Sequence, residues 1–153
     1  MAEKKINFSI IDEILEVAGI LENSAFNEER IKLARPHIKK LEKVIPVTGK
    51  ALLYFCAMFK FSIKVELNDI QTDYKPRNLS LLAEYLGIDG FTIFKDYPVF
   101  TELFDKRLYY RRCSHEDDLA SYMRDEFIIP RDIFVTVLRN EKIEFYEKSE
   151  NEV

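Results

Sequence analysis

The stretch "ALLYFCAMFKF", Ala51 to Phe61, restricts this chain more than any other. Read at helical spacing it is apolar nearly all round, because Leu52, Leu53, Phe55, Cys56, Met58 and Phe59 leave almost no wet face. Such a helix has to be covered on several sides, so the remaining residues must wrap it. Carried on to Ile63 the run is about 13 residues and holds Lys60, short of the ~20 residues a bilayer span requires. It reads as the hub of a core, with Thr48 placed as the N-cap.

A chain of 153 residues, 47% hydrophobic, has enough apolar surface for one compact domain around such a hub. The expectation is a single domain over residues 1–146, in which N-terminal helices (1–46) pack on a core of about 48–142, and a frayed tail at 147–153. The formal charge of -4 gives no global attraction to phosphate backbones. Cys56 in an apolar run and Cys113 in a polar loop look like reduced thiols, which fits a cytoplasmic setting. The opening "MAEKKINFSIIDEILEV" breaks its apolar run with Asp12, Glu13 and Glu16, so it does not read as a signal peptide.

Upstream of the hub, Ile11, Ile14, Leu15, Ala18 and Leu21 fall on one face of a first helix. Ile31, Ala34, Ile38, Leu41 and Ile45 repeat the pattern after Asn23-Ser24, with Glu28, Glu29, Lys32, Lys39 and Lys40 on the other side. Pro36 inside this second pattern predicts a kink or a new helix start. Downstream, Lys64 to Leu67 alternates polar and apolar and predicts a short strand, and "NDIQTDYKPRN" predicts a loop or brief helix followed by a turn.

Leu79, Leu82, Ala83 and Leu86 then form a helical stripe, Gly87 suits a left-handed C-cap, and Asp89 suits the N-cap of the next helix. That next helix directs Ile93, Phe94, Val99, Phe100, Leu103 and Phe104 to the core, with Pro98 either bending it or starting a new segment after Asp96. "LYYRR" from Leu108 and "EFIIP" from Glu126 predict a hairpin with a long polar tip, Cys113 to Asp125. Pro130 opens a last helix whose buried side is Ile133, Phe134, Val137 and Leu138.

The chemistry is sparse. With four glycines, no phosphate loop and no Gly-x-Gly-x-x-Gly turn, a nucleotide cradle is not expected, and neither is any cofactor. Cys113 and His115 are close neighbours, but zinc ordinarily takes four ligands, and Cys56 and His37 lie on patterned helices, so no metal site is expected. Nor does this pair show the orienting third group a nucleophile requires, and no catalytic residue is assigned. The carboxylate pairs Asp12-Glu13, Glu28-Glu29 and Asp117-Asp118 read as solvated surface.

The helix-turn-helix at 82–104 raises the question of DNA. A recognition helix normally offers Arg, Lys, Asn, Gln or Ser in its first half, whereas this one reads Gly90, Phe91, Thr92, Ile93, Phe94, Lys95, Asp96. Lys95, Arg107, Arg111 and Arg112 are the candidate DNA contacts, with Glu116, Asp117 and Asp118 close behind. Rings left exposed on such a helix would instead mark a protein partner, and Phe91, Phe94, Tyr97, Tyr109 and Tyr110 are the candidates.

From about Thr48 to Lys142 the predicted order is a buried helix, a short strand, a helix-turn-helix, a two-stranded hairpin and a closing helix. This order resembles a winged-helix domain. The phrases "RPHIKKLEKVIPVTGKALLYFCAMF", "LSLLAEYLGI", "FTELFDKRLYYRR" and "FIIPRDIFVTVLRNEK" resemble the winged-helix-like region that precedes the ATPase module in a group of bacterial AAA-type ATPases. Leu103 to Arg112 and Pro130 to Leu138 match the family's entry into the wing and its proline-initiated helix. The longer insertion before Leu79, the interruption at Pro98 and the lack of an ATPase module within these residues depart from that pattern.

The expectation is a mainly α domain with a small β-hairpin, a winged-helix-like helix-turn-helix carrying extra N-terminal helices. Its expected role is non-enzymatic, contacting a protein partner or an attached ATPase module, with DNA-binding regulation as the alternative and no membrane partner.

Overall fold

The computed structural model describes residues 6–68, 77–112 and 119–144. The chain is mainly helical with one small antiparallel hairpin. Its elements are α1 (Ile10–Leu21), α2 (Glu28–Leu41), α3 (Gly49–Asn68), α4 (Leu79–Leu86), α5 (Gly90–Lys95), α6 (Tyr97–Asp105), β1 (Tyr110–Arg112), α7 (Leu119–Arg124), β2 (Glu126–Ile128) and α8 (Arg131–Leu138). Among the described residues, no helix is long and apolar enough to cross a membrane.

The hub is α3, in which every residue from Ala51 to Phe59 is buried. It is covered by α1, α4 and α6, while α2 packs along α1 and α8 closes onto α1 from the C-terminal side. Aromatic contacts carry the packing outward from α3: Tyr54 meets Phe26 at 5.2 Å and Phe100 at 4.6 Å, and Phe59 meets Phe134 at 4.7 Å between ring centroids. Separations of this size suit tilted and edge-on rings, whose positive edges meet negative faces.

Local chemistry sets most helix boundaries. The side chains of Ser9, Asn27, Asn78 and Asp89 accept hydrogen bonds from the amides of Asp12, Arg30, Leu81 and Thr92, meeting donors that a helix start leaves unmatched. Gly87 ends α4 in the left-handed region at φ 77°. Pro36 neither ends nor restarts α2, which runs through it; Lys32 and Pro36 are both exposed, so the carbonyl that Pro36 leaves unmatched lies on the wet side. Pro98 stands at the start of α6, so the chain takes a new segment there.

The strand expected at Lys64 to Leu67 is not formed, because α3 continues through these residues to Asn68. Four alternating residues cannot outweigh an established helix, where each added residue gains a hydrogen bond and Lys, Glu and Leu are good helix formers. The third ladder contact comes later. Asn78 bridges Glu126, and the Phe127 amide donates to the Arg77 carbonyl at 2.7 Å, so β2 lies between β1 and the residues that lead into α4. The loop expected over "NDIQTDYKPRN" falls almost wholly outside the described residues, and the tail expected at 147–153 lies wholly outside them.

The polar tip of the hairpin is partly helical, since α7 occupies Leu119–Arg124. In α8, Ile133 and Val137 are buried and Phe134 is partly covered, but Leu138 is exposed. The end of α8 is tied to the start of α1 by Asn140, whose Oδ1 accepts from the Ile10 amide at 2.7 Å while its Nδ2 donates to the Phe8 carbonyl at 2.9 Å. Val44 adds a second tie, its carbonyl accepting from the Ile143 amide at 2.8 Å.

Candidate functional site

α5 and α6 meet at Asp96, which is fixed from below by the hub helix. The Tyr54 hydroxyl donates to Asp96 Oδ2 at 2.5 Å, and Lys50 Nζ stands 3.3 Å from the same oxygen. Burial, the hydrogen bond to Asp96 and its negative charge hold the Tyr54 hydroxyl well above the ordinary tyrosine value, so it remains a donor. The start of α5 is set by Asp89, which receives both the amide and the hydroxyl of Thr92, at 2.7 and 2.8 Å. Those two bonds hold the Asp89 carboxyl below its usual value.

On this anchored junction Phe91, Phe94 and Tyr97 turn outward, with 65%, 40% and 50% of their surface exposed. Phe91 and Phe94 are one helical turn apart on α5, and Lys95 Nζ lies 5.0 Å from the Phe91 ring centre. Tyr97 opens α6 and packs at 5.5 Å on Tyr122 of α7. The Arg111 guanidinium lies 4.6 Å from the other ring of that pair, Tyr122, and reaches Asp125 at 2.9 Å. Burial pushes the Tyr122 hydroxyl up to about 12, against the opposing charge of Arg111. A Cβ on Gly90 would stand 3.3 Å from the Met123 methyl, so α7 also backs the first turn of α5.

Two of the five candidate rings, Tyr109 and Tyr110, stand at the start of β1. Tyr109 is a correction: it is 3% exposed, enclosed by Phe100 and Phe104, and offers nothing to a partner. The strand period explains it. Arg111 faces Phe127 across the hairpin, so residues 109 and 111 point inward and Tyr110, 47% exposed, points to the opposite side. Phe94 and Phe104, expected in the core stripe of a single long helix, are exposed, each one position past a buried residue of its own helix, Ile93 and Leu103.

The basic candidates have different settings. Lys95 ends α5, and the exposed Arg107 follows α6. Arg111 is paired with the buried Asp125, and the Arg112 side chain lies outside what is described. Cys113, His115, Glu116, Asp117 and Asp118 also fall outside the described residues. Among the described residues, no three His, Cys, Asp or Glu side chains are grouped to hold a metal ion.

Sequence reasoning missed Tyr122, Met123 and Asp125, which it placed in a polar tip. Leu119, Tyr122 and Met123 stand at helical spacing and were the available signal. Comparison with protein-family models, curated proteins and solved structures finds no match.

Proposed function

We propose that this chain is a non-enzymatic protein-interaction module that docks a partner through Phe91, Phe94 and Tyr97. The observation that carries this reading is the exposure of three neighbouring rings on a junction whose backbone is anchored to the core by Tyr54 and Asp96. Rings held on a rigid support bring large contact area with little loss of freedom on binding, which is what interface anchors require. A winged-helix reading draws support from the element order and from the bridge of Asn78 to β2 directly before α4. The resemblance to the region preceding AAA-type ATPase modules gives such a face a context in docking, substrate choice or regulation of a motor.

Photo-crosslinking tests the docking face. A benzophenone side chain placed at Phe91 or Phe94 in cells that make the protein is expected to capture one discrete partner, and Tyr97→Ser is expected to abolish the product. Equal labelling from position 110, or labelling indifferent to Tyr97→Ser, would count against the reading. Duplex DNA titrated at about 50 and about 200 mM salt is expected to show no binding at either; salt-sensitive binding weakened by substituting Lys95 and Arg107 would favour the DNA alternative.

A further inference from the structure

The geometry points to a second docking surface, on α2, that receives an acidic protein segment. Residues 30–43 hold six Lys or Arg (Arg30, Lys32, Arg35, Lys39, Lys40, Lys43) against the single acid Glu42, in a chain whose net charge is -4. All six are exposed. Lys40 is committed to Glu13 at 3.0 Å, and Arg30 donates to the Ile20 carbonyl at 3.1 Å. Lys32, Arg35, Lys39 and Lys43 have no ion pair among the described residues.

Lys32, Arg35 and Lys39, at steps of three and four residues, form a line along one flank of α2 over about 10 Å at 1.5 Å per residue, and Lys43 follows in the turn after the helix ends at Leu41. His37 and Lys40, which meet Glu13 of α1, lie on a different flank, so Glu13 does not face the line. Glu28 and Glu29 lie at its beginning and Glu42 at its end. The helix dipole accounts for cations in the last turn, Lys39 and Lys40, but its influence fades before Lys32 and Arg35. Neighbouring cations at these spacings repel one another, and a bound polyanion relieves that repulsion.

Two observations favour a protein segment over a nucleic acid. Pro36, at helical spacing between Lys32 and Lys39, and Leu33, three residues before it and 64% exposed, offer apolar contact that a phosphate backbone does not use. Apart from these six cations the chain carries 17 Lys or Arg against 27 Asp or Glu, so the positive potential is local to this helix and suits a short segment better than a long polyanion. A short acidic segment with apolar residues meets only the line and Leu33.

The test uses a fluorescein-labelled peptide, Glu-Glu-Leu-Glu repeated in tandem, read by anisotropy at about 50 mM salt, with an all-glutamate peptide, a DNA duplex and phosphatidylserine vesicles alongside. Binding of the leucine-containing peptide is expected to weaken at least about tenfold in Lys32→Gln/Arg35→Gln/Lys39→Gln, and Leu33→Ser is expected to reduce it to the all-glutamate level. The single variants Lys32→Gln and Lys39→Gln guard against a folding defect and are expected to shift affinity the same way. Phe91→Ser is expected to leave this binding unchanged, which separates it from the α5–α6 face. No peptide binding, binding indifferent to the cation substitutions, or tighter binding of duplex or vesicles through the same residues overturns the assignment.

Discussion

Tyr54 on the buried hub helix donates its hydroxyl to Asp96 across 2.5 Å, and Asp96 is the residue at which α5 ends and α6 begins. One hydrogen bond thus ties the centre of the core to the hinge of the candidate docking face. Tyr54→Phe removes the donor and leaves Asp96 with Lys50 alone. The expected loss is about 1.5–3 kcal/mol, the range for a hydrogen bond to a charged group, measured by urea unfolding. Faster hydrogen exchange at the amides of residues 91–97 should accompany it. Unchanged exchange there would separate the bond from the hinge.

Gly87 and Gly49 form a controlled pair. Both have positive φ, 77° and 59°, but a Cβ on Gly87 would lie 3.2 Å from the Asn23 backbone, whereas one on Gly49 meets nothing within 4 Å. The contact is close because the α1–α2 connection is bonded to the end of α4, with the Asn23 and Ala25 amides donating to the carbonyls of Tyr85 and Leu86. Gly49→Ala should therefore lose only the conformational term, about 1–2 kcal/mol, and Gly87→Ala distinctly more. Equal losses in denaturant melts would mean that the α1–α2 connection yields freely.

Arg111 was a candidate for DNA, but in the fold its guanidinium covers Tyr122 and pairs with the buried Asp125. Arg111→Ala should destabilise the hairpin by about 3–5 kcal/mol, since it removes a charge partner from a buried carboxylate. Adding Asp125→Asn should restore part of that loss. The diagnostic is a double-mutant cycle on unfolding free energies; additivity would show that the pair contributes nothing.

The pH dependence has two limbs with separate causes. Burial pushes the Glu13 carboxyl up, but hydrogen bonds and charge from Lys40 and His37 outweigh it and hold the group below its ordinary value. A depressed folded value gives stability that is present above the unfolded value of about 4.3 and is lost as pH falls through the folded one. Glu13→Gln should flatten that acid limb in thermal melts. At the other end, burial raises Tyr54, Tyr85 and Tyr122 above the usual tyrosine range. Unfolded tyrosines ionise near 10, so stability should decline as pH rises past that value, with ultraviolet absorbance showing the late-ionising tyrosines titrating together with unfolding.

Side-chain position rather than residue type separates Tyr109 from Tyr110. Tyr109→Ala should lose about 3–5 kcal/mol, the range for emptying a buried aromatic site, whereas Tyr110→Ala should stay within about 1 kcal/mol. Comparable melting temperatures for the two variants would contradict the inward and outward assignment.

The chain's own order of residues determined the hub helix, the stripe of α4, the caps at Asp89 and Gly87, and the proline-led start of α8. These rest on local terms: a period of apolar residues, a side chain reaching an amide three residues on, and a φ that glycine tolerates. Tertiary structure alone decided that Phe94 and Phe104 face water, that Tyr109 packs against Phe100, and that Arg111 is held by Asp125. Each of these depends on which distant segment covers which side. A side chain's spacing shows where it points along its own element, but burial and pairing require a neighbour that only the folded chain brings.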